Sequence, residues 1–426
     1  MNKEFLKTLF LPHTRATPAP ISPGLYHYLR ERDGQYTRFH LRVEPDGGGM
    51  LIANATAAAH LSPAGVVIVK GMMDNNSDTT IQRDLRARFA GAAPDQIQKD
   101  FTTVRILLNE LAAPGDTYPI LNLDDAAVSP HPTQLIAPLE ATLPLAEPEK
   151  IVPLLDRLWE IGIPHATILV PETPNPDFLI RAVEHAEDLG MICGVSGRAT
   201  DLVQGTLLED LAMAGVDHVT VFCASAQSDI HDALFGDGDH LAARQVFTRT
   251  QALEVADVGH IPLVQATLPG LEDTLESLLA LNVPNAAFFA IATTGDPSDG
   301  SIPSDAMRQV AAQVEEDSAE ANVRYIWEPP VQRNPAKALT EQLRAGPRCF
   351  TDLSIRVEPN GSVIPPRGPY RTAGNLLHDD WNSIWMTSAF QMYRERVTSS
   401  TRCDLCPGLA ICAADCPVEA RGWTSE

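Results

Sequence analysis

Apolar and polar positions alternate with a period of two at Phe39, Leu41 and Val43, run into the turn cluster Asp46-Gly47-Gly48-Gly49, and resume as an apolar run over 50–53. Two such runs around a glycine-rich turn predict a β-hairpin. The period then lengthens to that of a helix. Ser62-Pro63 caps a first helix and Ser77-Asp78 a second, through Ile81, Leu85 and Phe89. Pro94-Asp95 opens a third, with Ile97, Phe101, Val104, Leu107, Leu108 and Leu111 at helical spacing. A hydroxyl or carboxylate can accept from the orphan amides of a first turn, and proline is tolerated there because its missing N–H would have no partner anyway. Ala113-Pro114-Gly115 ends the third helix. A small sheet followed by three helices predicts a winged-helix-like α+β domain over 1–115. The proline- and aspartate-bearing stretch 116–133 reads as a linker.

From residue 134 strands and helices alternate regularly. The pattern predicts strands over 135–142, 165–170, 191–196, 218–224, 260–268, 285–292 and 323–328. Between them lie helices opened by Pro148, capped by Asn175-Pro176, and beginning near Thr206, Asp239, Leu271 and Ser304. Strands joined through helices need crossovers, so the sheet must be parallel and the crossovers right-handed. The fold class expected is α/β, with a partial (β/α) barrel over 134–330 and a small cysteine-bearing domain over 331–426.

Composition narrows the partners. The 426 residues carry 32 Lys and Arg against 55 Asp and Glu, a net charge of -23, which repels phosphate backbones and anionic lipid. No apolar run approaches the roughly 20 residues of a membrane-spanning helix, and the first 20 residues lack a cleavage signature, so a cytoplasmic protein is expected. That leaves a peptide, a protein or a small molecule as partner.

Five of the seven cysteines, Cys349, Cys403, Cys406, Cys412 and Cys416, fall in the last 78 residues. The spacing Cys403-x2-Cys406-x5-Cys412-x3-Cys416 gathers four thiols within 14 residues around the turn Pro407-Gly408, which points to a metal site. Thiolates suit zinc and iron–sulfur equally, and both stay open. The bland alternative is a group of buried reduced thiols. Cys193 and Cys223 read as core residues. The histidines show no paired spacing of the HExxH kind, and no phosphate-binding glycine loop appears.

Cys349, Gly361, the stretch "AGNLLHDDWNSIWMTSAFQMYRERV" and the Cys403–Cys416 spacing together resemble the SPASM auxiliary-cluster domain of radical SAM peptide maturases. Pro366 stands where that family has a cysteine, and its last cysteine has no counterpart. Carried over, the first auxiliary cluster keeps Cys349 and Cys416 and the second keeps Cys403, Cys406 and Cys412. The resemblance therefore implies one rearranged site built from four of the five thiols. The middle of the chain is similar to the radical SAM core. Val170-Pro171-Glu172-Thr173-Pro174 occupies the position of a Gly-Gly-Glu-Pro motif of which Glu172 alone is kept. Where the family has CxxxCxxC, this chain reads Thr142-Leu-Pro-Leu-Ala-Glu-Pro-Glu, and residues 1–192 contain no cysteine. S-adenosylmethionine is therefore not expected as a cofactor, no catalytic residue is assigned, and Glu172 is read as a vestige.

The N-terminal unit is similar to the PqqD-like peptide-recognition domain of such maturases. That resemblance implies a leader peptide added to the sheet edge, with Phe101, Val104 and Leu108 as anchors; the alternative is that these three face the domain's own core. The whole implies a non-catalytic pseudoenzyme that binds a ribosomal precursor peptide and assists a maturase partner. The alternative is an iron–sulfur protein acting in electron transfer, or a divergent peptide-modifying oxidoreductase of the radical SAM family.

Overall fold

The computed structural model describes residues 19–32, 35–53, 57–89, 93–112, 136–350, 354–390 and 424–425. Its first sheet is antiparallel, in the order β1 (Gly24–Arg32), β2 (Gln35–Val43), β3 (Gly49–Ala53) and β4 (Ala57–Leu61). The hairpin expected around 46–49 joins β2 to β3, with Val43 opposite Gly49. Two strands are additional to the expectation. β1 pairs with β2 along its whole length, and β4, reading Ala-Ala-Ala-His-Leu, borders β3. Both are edge strands. β4 in particular has none of the β-branched residues that mark a strand.

Three helices follow, α1 (Pro63–Met73), α2 (Asp78–Arg88) and α3 (Pro94–Leu111). Ser62 Oγ accepts from the amide of Gly65 and Ser77 Oγ from that of Thr80, so both caps act as their sequence suggests. Phe39, Leu41, Val43, Leu51 and Ala53 face these helices and share a core with Val66, Ile81, Leu85, Phe101, Val104 and Leu108. The other face of the sheet rests on the second body of the protein. Met50 and Ile52 join its core, and His40 stacks edge-on to Trp159 at 5.4 Å. Arg42, wholly buried, bonds to Glu44 at 2.6 Å and to the carbonyls of Ala137 and Pro138, while Glu44 accepts from the amide of Ile136 at 3.0 Å. Burial raises the Glu44 carboxyl against the lowering pull of Arg42.

The second body is a curved parallel sheet wrapped in helices. Its elements run β5 (Glu140–Pro144), α4 (Pro148–Ile161), β6 (His165–Leu169), α5 (Pro176–Leu189), β7 (Ile192–Gly197), α6 (Ala199–Leu202), α7 (Leu207–Ala214), β8 (His218–Phe222), α8 (Ser228–Phe235), α9 (Asp239–Ala252), β9 (Ala256–Leu263), α10 (Leu271–Ala280) and β10 (Asn285–Thr293). After β11 (Ile302–Pro303) and α11 (Met307–Glu320), the last strand of the barrel comes in two pieces, β12 (Arg324–Trp327) and β13 (Val331–Gln332), both paired in parallel with β10. α12 (Leu339–Ala345) leads to β14 (Ser354–Val357), which returns to lie parallel to β5 on the opposite flank. Glycines at positive φ end the helices ahead of β6 and β7, Gly162 at 94° and Gly190 at 75°, where a side chain would be strained. The strand expected over 260–268 lies at 256–263 instead. Its later part is a turn tied by Thr267, whose hydroxyl accepts from the amide of Val264 and donates to the Pro262 carbonyl.

The two flanks of the sheet are not hydrogen-bonded to each other among the described residues, so the barrel is partial. Beyond β14 come β15 (Ser362–Ile364), β16 (Gly368–Pro369), β17 (Gly374–Asn375) and α13 (Trp381–Trp385), with β18 (Thr424–Ser425) between β13 and β16. Every second strand residue packs outward against the helices, including Leu143, Ile168, Val195, Val221 and Phe288, all fully buried. The alternate residues fill the lumen.

Candidate functional site

Parallel strands deliver their C-terminal ends to one rim, where ligand sites of such folds are built. β5 reaches that rim at Pro144, and helix α4 starts after the three residues 145–147. That turn carries no thiol, and it is pinned by the Leu145 amide to the Leu169 carbonyl at 3.0 Å. After β6, Glu172 extends into solvent, its side chain 68% exposed, and meets Arg198 at 3.2 Å. An ion pair so exposed contributes little to stability. Arg198 also holds Asp201 at 2.8 Å, and Asp201 accepts from the amide of Thr173, a residue at φ 54°. The Glu172 position is therefore part of a loop brace.

A second brace lies behind the first. Asp239 accepts from the amide and hydroxyl of Thr200 at 3.0 and 2.8 Å and faces Nε2 of His231 at 3.1 Å. His231 Nδ1 accepts from the amide of Ala224 at 3.1 Å, an arrangement that assigns the ring proton to Nε2. Burial alone would raise the Asp239 carboxyl; the bonds from His231 and Thr200 outweigh it and hold it below its ordinary value. Both side chains are wholly enclosed, so the pair fixes the loop after β8 and offers nothing to a substrate.

The lumen is polar on one side. Thr167 donates to Glu140 at 2.8 Å, and the Nε2 atoms of His165 and His218 lie 2.8 Å apart. Burial lowers both histidines, His218 to about 4, so at neutral pH one ring donates its proton to the lone pair of the other. Gly194 makes room for this pair, since a Cβ there would stand 2.0 Å from the His218 ring. On the other side Phe222 stacks on Phe235 at 4.6 Å and on His260 at 4.8 Å, with Phe289 packed beside them. His260 Nε2 meets Glu328 at 2.7 Å. Burial raises the Glu328 carboxyl, against the lowering influence of His260. His260 Nδ1 and Glu328 Oε1 have no hydrogen-bond partner.

The histidine pairs were invisible as spacings in the sequence. His165 and His218 each open a barrel strand, and the strand order brings their rings together across 53 residues. Matching positions at the starts of alternate strands were the one available signal.

Of the sequence-predicted residues, Cys403, Cys406, Cys412 and Cys416 lie outside the described residues. Cys349 is buried and its thiol is pushed up to about 12 by burial. Cys223 is raised likewise to about 12, and Cys193, on the helix-packed face of β7, is raised as well. No group of three or more metal-binding side chains occurs among the described residues. Phe101, Val104 and Leu108 point into the N-terminal core, exposed by 3, 6 and 6%. Helical spacing identified the face they share, and the core of their own domain covers it.

A cluster that activates S-adenosylmethionine needs three thiolates beside one open iron. The turn after β5 supplies none. Cys193 faces the helices and Cys223 follows a different strand, β8, so the described rim does not fit that group.

No protein-family model matches the chain, and no curated protein matches it. Solved structures do. The chain is similar to the crystal structure of Streptococcus suis SuiB bound to S-adenosylmethionine, with 12% identity and a TM-score of 0.53 over 91% of this chain and 97% of that one. It is similar to the same protein bound to precursor peptide SuiA, with 13% identity and a TM-score of 0.53 over 94% and 99%. At this identity the likeness is one of fold: a mixed α/β architecture around a parallel sheet, shared along nearly the whole of both chains. No helix among the described residues is long and apolar enough to cross a membrane.

Proposed function

We propose that the chain is a non-catalytic protein of radical SAM maturase type that binds a ribosomal precursor peptide and assists a partner maturase. The observation that carries this reading is the three-residue turn 145–147, which closes the rim after β5 without a thiol in a fold otherwise like SuiB. SuiB has been crystallised with a precursor peptide, which supports peptide binding as the part of the work that a chain without the cluster could retain. In this reading residues 1–115 recognise the peptide, 116–133 link, 134–330 form the scaffold and 331–426 carry one thiolate metal site on four of Cys349, Cys403, Cys406, Cys412 and Cys416.

Two measurements test it. The anaerobically prepared chain, given dithionite and S-adenosylmethionine, is expected to release no 5′-deoxyadenosine above a protein-free blank; steady accumulation overturns the non-catalytic assignment. Synthetic peptides encoded beside the gene are expected to bind the full chain in fluorescence anisotropy, and dissociation constants no tighter than millimolar for all of them overturn the peptide assignment.

The Cys403–Cys416 spacing favours a second reading, an iron–sulfur protein that carries electrons. About four irons with matching sulfide per chain and a reducible visible band would support it. One zinc without iron would leave the tail as a structural staple.

A further inference from the structure

A pocket of about 430 Å³ opens on the seam of the barrel, between β13 on one flank and β14 on the other. Its charged lining consists of Arg348 and Arg356, and no acidic residue lines it among the described residues. In a chain of net charge -23 that is a local reversal of sign. Both guanidiniums lie against the ring of Tyr370, 5.1 and 5.9 Å from its centre, so one ring ties the two cations to the same lining. Arg348 is held from behind by the carbonyls of Pro365 at 3.1 Å, Gly368 at 2.8 Å and Pro369 at 3.4 Å. Arg356 donates through Nε to Glu358 at 2.5 Å, and the Tyr370 hydroxyl donates to the same carboxylate. One carboxylate behind the lining thus orients two of its members.

The wall opposite is made thin by Gly346. At φ 62° it carries no side chain, and a Cβ there would stand 3.7 Å from Phe222 and 3.9 Å from His260. The His260–Glu328 pair, each side chain at least 98% buried and each retaining an unpartnered polar atom, lies directly behind that wall. Gln342 adds a fixed amide, its Nε2 donating to the Gln332 carbonyl at 3.2 Å.

We infer that this seam pocket is a carboxylate-binding site, and that its natural occupant is an acidic residue of the bound peptide. Two guanidiniums lining one pocket supply the charge-assisted donors a carboxylate takes, and their anchors leave little ordering to be done on binding. The volume suits one side chain with part of its backbone. The choice of occupant rests on the peptide-binding reading, because the anions of an unmodified peptide at neutral pH are carboxylates.

Calorimetry on the full-length chain tests the inference with blocked pentapeptides carrying a central Glu or a central Gln. The Gln peptide with a free C-terminal carboxylate, glutarate and inorganic phosphate complete the set. The Glu peptide is expected to bind at least tenfold tighter than its Gln counterpart. A free C-terminus restoring the Gln peptide to the same affinity would support a terminal carboxylate as the occupant. Arg356→Gln is expected to abolish the preference and Arg356→Lys to retain part of it, with unchanged circular dichroism and melting in both. Equal binding of the two blocked peptides overturns the carboxylate site and leaves peptide binding standing. Arg356-dependent binding of glutarate with no peptide bound supports the site and overturns its assignment to a peptide. Phosphate binding as tightly as glutarate overturns the carboxylate assignment.

Discussion

The two sides of the barrel lumen treat their inward-facing polar groups differently. Across β5, β6 and β8 polar pairs fill the space, Thr167 with Glu140 and His165 with His218, while Thr142 Oγ1 and His218 Nδ1 have no hydrogen-bond partner. Across β8, β9 and β10 the filling is aromatic, and the one polar pair, His260 with Glu328, keeps an unpartnered atom on each member. Unpartnered buried atoms occur on both sides, so the difference lies in what fills them: hydrogen-bonded pairs on the first, stacked rings on the second. The second borders the seam pocket and the flank where the sheet stops.

The largest break in this comparison should come from Phe289→Ala, which empties the aromatic side. The expected loss is about 3–5 kcal/mol in urea unfolding. His218→Ala should cost about 1–3 kcal/mol, because it strands His165 Nε2 in a closed interior; a loss under half of that would mean water already reaches the pair. Glu328→Gln should cost about 1 kcal/mol or less, since the amide oxygen can still accept from His260 and the group no longer carries a charge that burial opposes. If it destabilises as much as His218→Ala, the contrast between the sides fails.

The smallest effect concerns pH. Desolvation pushes the Asp217 carboxyl up to about 7, despite the bond it accepts from the Cys193 amide at 2.7 Å. The folded chain then holds a proton that the unfolded chain releases near 4, so the stability contributed by this group is full below that pH and falls as pH rises towards 7. The lowered histidines act in the opposite sense. His165 and His218 stay neutral in the fold while the unfolded chain takes up protons below about 6.5, so their contribution falls as pH drops towards 4. Asp217→Asn keeps an acceptor for the Cys193 amide and removes the titration. Its stability relative to the parent should rise steadily between pH 4 and 7; a flat difference would refute the raised carboxyl.

What the sequence made legible was local. Ser62, Ser77 and Asn175 cap helices, Gly162 and Gly190 end them, and the alternation from residue 134 onward delivered the parallel run β5 to β10 and β12. The illegible parts depend on distance. β4 is too alanine-rich to announce a strand and exists because β3 offers it a partner. The His165–His218 and His260–Glu328 contacts span 53 and 68 residues and follow from strand order, which no short window contains. Phe101, Val104 and Leu108 show the limit of periodicity, since a shared face does not say what covers it. Glu172, prominent by its place in a motif, turned out to be a solvent-facing partner of Arg198.

The N-terminal sheet carries helices on one face and the barrel on the other, with Arg42 wholly enclosed and bonded to main-chain carbonyls just ahead of β5. Such a unit is not an interchangeable cassette. Excising it would bare Met50 and Ile52 on one piece and leave a buried cation without its acceptors, so gene fission at this junction would demand compensating changes in both halves at once. Recombination that exchanges this unit should therefore carry the first barrel strand along with the sheet.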